Sequence, residues 1–377
     1  QESSGVMGAD EYPYTYAEAL EMMTSHLRDF KEEELQHLKE IGAADWIYID
    51  GEVHFQRLFY DNLTQTRPDL AARVIVQNEE LEKENAMKQK LLNGNVHYMK
   101  EHVGSTVHTR IRASITVKKE FEDVGRKVSV HLPIPKVYEQ VSNVQIHAAN
   151  PEITFIAPED AAQRTVYFET ELQPNQEFMV EYSFDYHINY VELDPKRVAG
   201  EQPDFCLEEQ SPHIMFTPYL RELRDELAGD ETNSVILARR FYDFVTTKVM
   251  YSFVREYFTI ECIPEYCAVN LKGDCGVQAL LFITLCRMSG IPARWQSGLY
   301  ATDYYTGCHD WAQFYVAPYG WVFADLSFGG SAWRAGEIER WNYYFGNLDV
   351  FRMPANSEIQ KAFVPEKKWL RIDPIDN

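Results

Sequence analysis

Long apolar runs are missing from this chain. The best of them, Ala279 to Cys286, spans eight residues and includes Thr284, far short of the roughly 18–20 residues a membrane helix needs. Cysteine is scarce. The six in 377 residues (Cys206, Cys262, Cys267, Cys275, Cys286 and Cys308) are too few to build a disulfide scaffold. Basic charge is also short: 36 Lys and Arg stand against 58 Asp and Glu, giving a net charge of −22. That argues against nucleic acid or an anionic membrane as partner, because both select for basic surfaces. The start, Gln1-Glu2-Ser3-Ser4-Gly5, shows neither the basic nor the apolar stretch of a signal peptide. A polar, acidic start of this kind suits a mature tail or a linker. No internal repeat or low-complexity segment is visible. Cys262 and Cys267 make at most half a zinc site with no second half at suitable spacing, so no metal is expected. If the protein is exported, the same two could form a loop disulfide.

What is present divides the chain by period. At 377 residues, two or three domains are the sensible expectation. Residues 14–95 read as mainly helical, with Leu35, Leu38 and Ile41 on one stripe and a charged run from Glu79 to Asn85 that reads as a solvated helix face. From about residue 97 the period becomes two. Val107, Thr109, Ile111, Ala113, Ile115 and Val117 alternate with polar neighbours, and the stretch from Phe178 to Tyr190 repeats the pattern. An antiparallel β-sandwich over 97–195 fits. The helical period then returns, with Thr217-Pro218 as N-cap and first helical residue, Gly229 as a stop, and a further helix over 234–249. The expected division is a helical region (1–96), a β-sandwich (97–195) and a third unit (205–365). The tail from Phe351 has no clear pattern.

Chemistry gathers in the third unit. Gly273-Asp274-Cys275-Gly276 opens an apolar helix that Gly290 and Pro292 end. A helix N-terminus favours a thiolate, the thiolate is the nucleophile, and small Gly273 and Gly276 would let a substrate approach it. Backbone N–H groups there, Gly276 included, could stabilise an oxyanion. Cys286 reads as core. His309 precedes a strand, Pro318-Tyr319-Gly320 marks a turn, and Asp325 ends the returning strand. A two-residue turn at 318–319 would put His309 and Asp325 on opposite faces, so a shared face requires an odd loop or a bulge. Alternation should turn Cys308 away from that face. Cys275, His309 and Asp325 together have the parts of a nucleophilic triad. Asn62-Leu63-Thr64 matches a glycosylation acceptor, a pattern short enough to arise by chance.

The ordered set Gly-Asp-Cys275-Gly, Gly290-Ile-Pro-Ala-Arg294, His309-Asp-Trp311, Tyr319-Gly-Trp321 and Asp325 resembles the transglutaminase-like superfamily of papain-fold cysteine enzymes. The segment Tyr344 to Asn356 resembles exported bacterial members. The resemblance covers about 205–330. It implies an α+β fold in which a papain-like core, with the Cys275 helix on an antiparallel sheet, follows the β-sandwich and the helical region. It implies Cys275 as nucleophile, His309 as base and Asp325 as its orienter, acting without cofactor on a peptide or protein amide through a thioester. Hydrolysis by a peptidase or amidase is the leading expectation. Protein cross-linking, or a non-catalytic envelope binding or scaffold protein that keeps the triad, are the alternatives. Tyr251 is a candidate oxyanion aromatic, with a core role the plainer reading, and Trp295, Trp311 and Trp321 are candidates to line the cleft, with core or sheet packing the plainer reading for at least two of them. Export to the periplasm or cell surface is implied as well. Gln313 and Leu326 depart from the Glu and Pro common in relatives.

Overall fold

The computed structural model describes residues 10–75 and 79–367. The N-terminal region holds helices α1 (Tyr16–His26), α2 (Glu32–Glu40), α3 (Phe59–Thr66), α4 (Pro68–Ala71) and α5 (Glu79–His102). It also holds a small antiparallel sheet that its helical composition conceals: β1 (Tyr14–Thr15), β2 (Trp46–Ile49) and β3 (Glu52–Phe55), with β3 central. These elements close a core of their own around Met23, Leu35, Phe55, Phe59 and Leu63. Helix α5 continues past the expected boundary at residue 96 and turns its last part, with Leu92, Val96 and Met99, into the main core.

Two three-stranded antiparallel sheets follow. One joins β4 (Gly104–Thr116), β6 (Val141–Asn150) and β9 (Glu177–Asn189), with β9 in the centre. The other joins β5 (Lys127–Pro133), β7 (Phe155–Ile156) and β8 (Thr165–Glu171), with β8 central. The buried side of β9 carries Phe178, Val180, Tyr182, Phe184, Tyr186 and Ile188, the residues that alternation selects.

The third unit is built as its caps predict. Thr217 caps α6 (Pro218–Ala228) by accepting from the Leu220 N–H, and Gly229 ends it at φ +53°. Helix α7 (Ser234–Lys248) starts from Asn233. A short parallel pair, β10 (Met250–Tyr251) and β11 (Lys272–Gly273), flanks α8 (Ile263–Asn270) and leads into α9 (Cys275–Met288). Five antiparallel strands form the central sheet: β12 (Ala293–Ala301), β13 (Thr306–Val316), β14 (Gly320–Ala324), β15 (Phe345–Gly346) and β16 (Arg352–Asn356), in the order β15-β14-β13-β12-β16. Helices α10 (Leu326–Arg334) and α11 (Ile338–Tyr343) fill the β14–β15 connection. The patternless tail thus supplies an edge strand to the central sheet. Helix α9 lies against one face, where Phe282 meets Phe314 edge-on at 5.5 Å. The β-sandwich region meets the other, where the Gln140 amide donates to Gln296 Oε1 at 2.7 Å. One continuous core runs from Leu92 to Ile359 through both units. No helix among the described residues is long and apolar enough to cross a membrane.

Candidate active site

The β13–β14 loop settles the facing of His309 and Asp325. Val316 pairs with Gly320, so the loop is residues 317–319, the odd count that a shared face requires. Asp325 follows Ala324 directly and caps α10 by accepting from the Phe328 N–H at 3.0 Å. His309 lies inside β13 rather than ahead of it, opposite Gly298 of β12. Because β14 pairs with β13 only from Ala312 to Val316, His309 and Asp310 sit on a stretch of β13 with a strand neighbour on one side alone.

Asp325 reaches this stretch from one side. Its Oδ2 accepts from His309 Nε2 at 2.7 Å and from Arg352 Nη1 at 2.6 Å. Arg352, on the edge strand β16, also binds Asp349 through Nε at 2.9 Å. Burial pushes the Asp325 carboxyl up, but His309 and Arg352 outweigh it and hold it well below the usual carboxylate range. For His309, burial lowers the pKa and Asp325 partly restores it, with a net fall. The imidazole is therefore neutral near pH 7. With Nε2–H given to Asp325, its Nδ1 is the atom that can take a proton. Phe328 packs on the ring at 4.5 Å. Sequence reading missed Arg352 and Asp349 because they come from the tail, although they lie in the Tyr344–Asn356 segment that carries part of the resemblance.

Cys275 reaches the same stretch from the α9 side. Its thiol donates to Asp310 Oδ2 at 3.3 Å, and no hydrogen bond joins it to His309. Asp274 caps α9, its carboxylate accepting from the Val277 N–H at 3.0 Å and from the Tyr257 hydroxyl at 2.5 Å. This surrounding corrects the expectation of a favoured thiolate. Burial, followed by the carboxylates of Asp310 and Asp274, pushes the Cys275 thiol well above its ordinary value. Burial also lifts Asp274 to about 6. Cys275 is 2% exposed.

The glycines serve packing rather than substrate approach. A Cβ on Gly276 would come within 2.4 Å of the Tyr257 hydroxyl, 2.7 Å of Asp310 Oδ2 and 2.8 Å of Trp295, and one on Gly273 would strike Val277. Trp295 is buried with its indole N–H on Ser297 Oγ at 3.1 Å, and Trp311 is buried with its own on Gln296 Oε1 at 2.6 Å. Both are core residues. Gln313, the departure from the common Glu, accepts from Arg294 Nε at 2.8 Å.

A cleft of about 510 Å³ opens on His309, and Tyr251 lines it with Lys88, Tyr300, Tyr305 and Phe328. Tyr251 is also close enough to Cys275 to feel its charge. Cys308, expected to turn away, is exposed and lines the cleft. Asn85, the end of the charged run read as a solvated face, and Lys88 bring α5 into the cleft wall. Asn62 is no surface acceptor. It is buried, and it both donates to the Phe253 carbonyl (2.9 Å) and accepts from the Phe253 N–H (2.8 Å), tying α3 to the segment after Tyr251. None of the six cysteines is in a disulfide, so Cys262 and Cys267 are not joined. Among the described residues no cluster could hold a metal.

Residues 221–326 match the family model of the transglutaminase-like superfamily. A search of curated proteins found no match. Among solved structures, the chain is similar to a proposed cysteine protease from Cytophaga hutchinsonii (18% identity, 59% of this chain and 79% of that one, TM-score 0.42). It is also similar to the periplasmic domain of TgpA from Pseudomonas aeruginosa (14% identity, 59% and 76%, TM-score 0.34).

Proposed function

Taking residues 221–326 as a member of the transglutaminase-like superfamily, we propose that this protein carries out cysteine-dependent acyl transfer on a peptide or protein amide, with water as the usual acceptor. The observation that carries the reading is the buried chain His309–Asp325–Arg352, which orients a neutral imidazole on one face of β13, while the next residue, Asp310, turns to the α9 face and holds the Cys275 thiol. In the reaction the thiol leaves Asp310 and passes its proton to His309 Nδ1. The sulfur bonds to the amide carbonyl carbon, the C–N bond breaks, and the imidazolium protonates the departing amine. Water, deprotonated by His309, then adds to the thioester and releases the acid and the thiol. An amine in place of water gives cross-linking. Asp325 keeps its charge throughout and stabilises the imidazolium.

Alkylation tests this. In a Cys308→Ser background, iodoacetamide should label Cys275 faster when a peptide amide is bound, and His309→Ala should abolish the acceleration. Amine incorporation would move the reading to a transferase; cleavage alone keeps it a hydrolase. The buried, carboxylate-flanked thiol favours a second reading, a binding protein that keeps the triad without using it. No labelling of Cys275 under any peptide, with wild-type and Cys275→Ala equally inert on an amide library, would establish that one. We place the reaction in an exported protein, as the sequence resemblance implies, and fractionation of the native host's cells tests it.

A further inference from the structure

In a chain of net charge −22, the cleft over His309 runs against the rest of the surface. Its lining holds Lys88, Arg334 and His309, and no Asp or Glu among the described residues. Lys88 enters from α5, and its ammonium stands 4.4 Å from the centre of the Phe328 ring and 5.3 Å from that of Tyr300. Those rings lend some attraction, but no carboxylate among the described residues forms an ion pair with it. Arg334 is similar. It leans on the Val249 carbonyl at 3.5 Å and has no ion pair among the described residues. The carboxylate that Lys88 feels most, Asp325, is already engaged by His309 and Arg352. Lys88 is half-buried, and holding a cation partly out of water without a counter-charge is costly; Arg334 stands exposed at the rim of the same wall. A ligand bringing a negative charge would relieve Lys88 and pair with Arg334 beside it. Tyr305, Ser327 and Ser331 add hydroxyl donors to the same wall.

We propose that this cleft selects an anionic acyl substrate: a peptide whose carboxylate, either its C-terminus or an Asp or Glu side chain, docks on Lys88 and Arg334. The inference rests on the acyl-transfer reading for what happens next, but the docking itself needs no chemistry. It also gives the helical N-terminal region a role, since α5 supplies one of the two cations.

The test uses the full chain carrying Cys275→Ala and measures peptide binding by calorimetry. Four matched acetylated peptides serve as probes: free C-terminal carboxylate, C-terminal amide, internal Glu, and internal Gln. At least one anionic peptide should bind roughly tenfold or more tightly than its neutral partner, the range of a charge-assisted hydrogen bond, and which one does identifies the source of the carboxylate. Lys88→Gln and Arg334→Gln should each erase most of the difference, while Lys88→Arg retains it. Equal binding within both pairs, or no binding by any peptide, overturns the proposal. So does an unchanged preference in Lys88→Gln and Arg334→Gln with native circular dichroism. If binding is selective but wild-type Cys275 never reacts, acyl transfer fails and the anion site stands. If Cys275 reacts and cleaves amides without charge preference, the reverse holds.

Discussion

The two sides of the candidate site are both buried, yet their charges are arranged in opposite ways. On the His309 side every carboxylate has a cation: Arg352 bridges Asp325 and Asp349, and His309 completes the row. On the Cys275 side, Asp274 and Asp310 flank a thiol, and their partners include a tyrosine hydroxyl, the Val277 N–H and the thiol itself. In the proposed reaction, the first side is the one that moves the proton at neutral pH. The second holds its thiol in the protonated form. The difference shows that positioning a thiol and ionising it are separable; in the proposed reaction, ionisation waits for something that displaces Asp310 from the sulfur.

The largest effect should come from breaking the compensated side. Arg352→Met leaves Asp325 and Asp349 as buried, unpaired charges, and removing one member of such a group costs about 3–5 kcal/mol. Urea unfolding near pH 7 should show a fall of that order. A loss below about 1 kcal/mol would mean that compensation on this side is not what distinguishes it from the other. Asp325→Asn attacks orientation rather than charge balance. The amide-cleaving rate should fall roughly 10²- to 10⁴-fold, the span of positioned acid–base catalysis. The pH profile should move with it. Burial lowers the His309 pKa and Asp325 raises it, so losing that carboxylate takes the pKa lower and shifts the acid limb of the rate profile to lower pH. An acid limb that stays in place would falsify the pairing of Asp325 with the working base.

Much of this site was legible in the sequence, and the failures share a cause. Cys275, His309 and Asp325 lie close together along the chain, on one helix and one hairpin, where capping, turn length and alternation decide facing. Even the odd loop at 317–319 follows from asking the two side chains to share a face. Arg352, Lys88 and Tyr257 come from separate elements, and a buried ion pair across strands or a lysine slipped from a charged helix leaves no periodic trace. The small sheet of β1, β2 and β3 escaped because two- and four-residue strands are too short to show alternation. Asp310 was in view throughout, but its role depends on the thiol turning toward it, which spacing cannot show.

Tyr257→Phe probes the other side. The hydroxyl donates to Asp274 at 2.5 Å, and a hydrogen bond to a charged group is worth about 2 kcal/mol. The sign follows from the titration. Asp274 rises from 3.8 to about 6 on folding, chiefly through burial, and the hydroxyl pulls the other way. Stability from this group is complete below pH 4 and is lost as pH rises through about 6. Without the hydroxyl the folded pKa climbs further, so Tyr257→Phe should be more destabilised at pH 8 than at pH 4. Equal destabilisation at both pH values would mean that Asp274 is not the group the hydroxyl serves.

The smallest effect is the sharpest for the comparison. In a Cys308→Ser background, Asp310→Asn removes one of the two negative charges that, after burial, raise the Cys275 pKa. A lower pKa means a larger thiolate fraction at a given pH, and a tenfold gain in that fraction corresponds to about 1.4 kcal/mol less penalty on the charge. Alkylation of Cys275 at pH 7.5, followed by peptide mapping, should therefore accelerate by up to about tenfold. His309 should matter more in the variant, because the sulfur, no longer donating to a carboxylate, can turn to Nδ1. A slower reaction would show that Asp310 presents the thiol instead of restraining it. The two sides of the site would then be two halves of one assembled device, and the contrast between them would lie in charge alone.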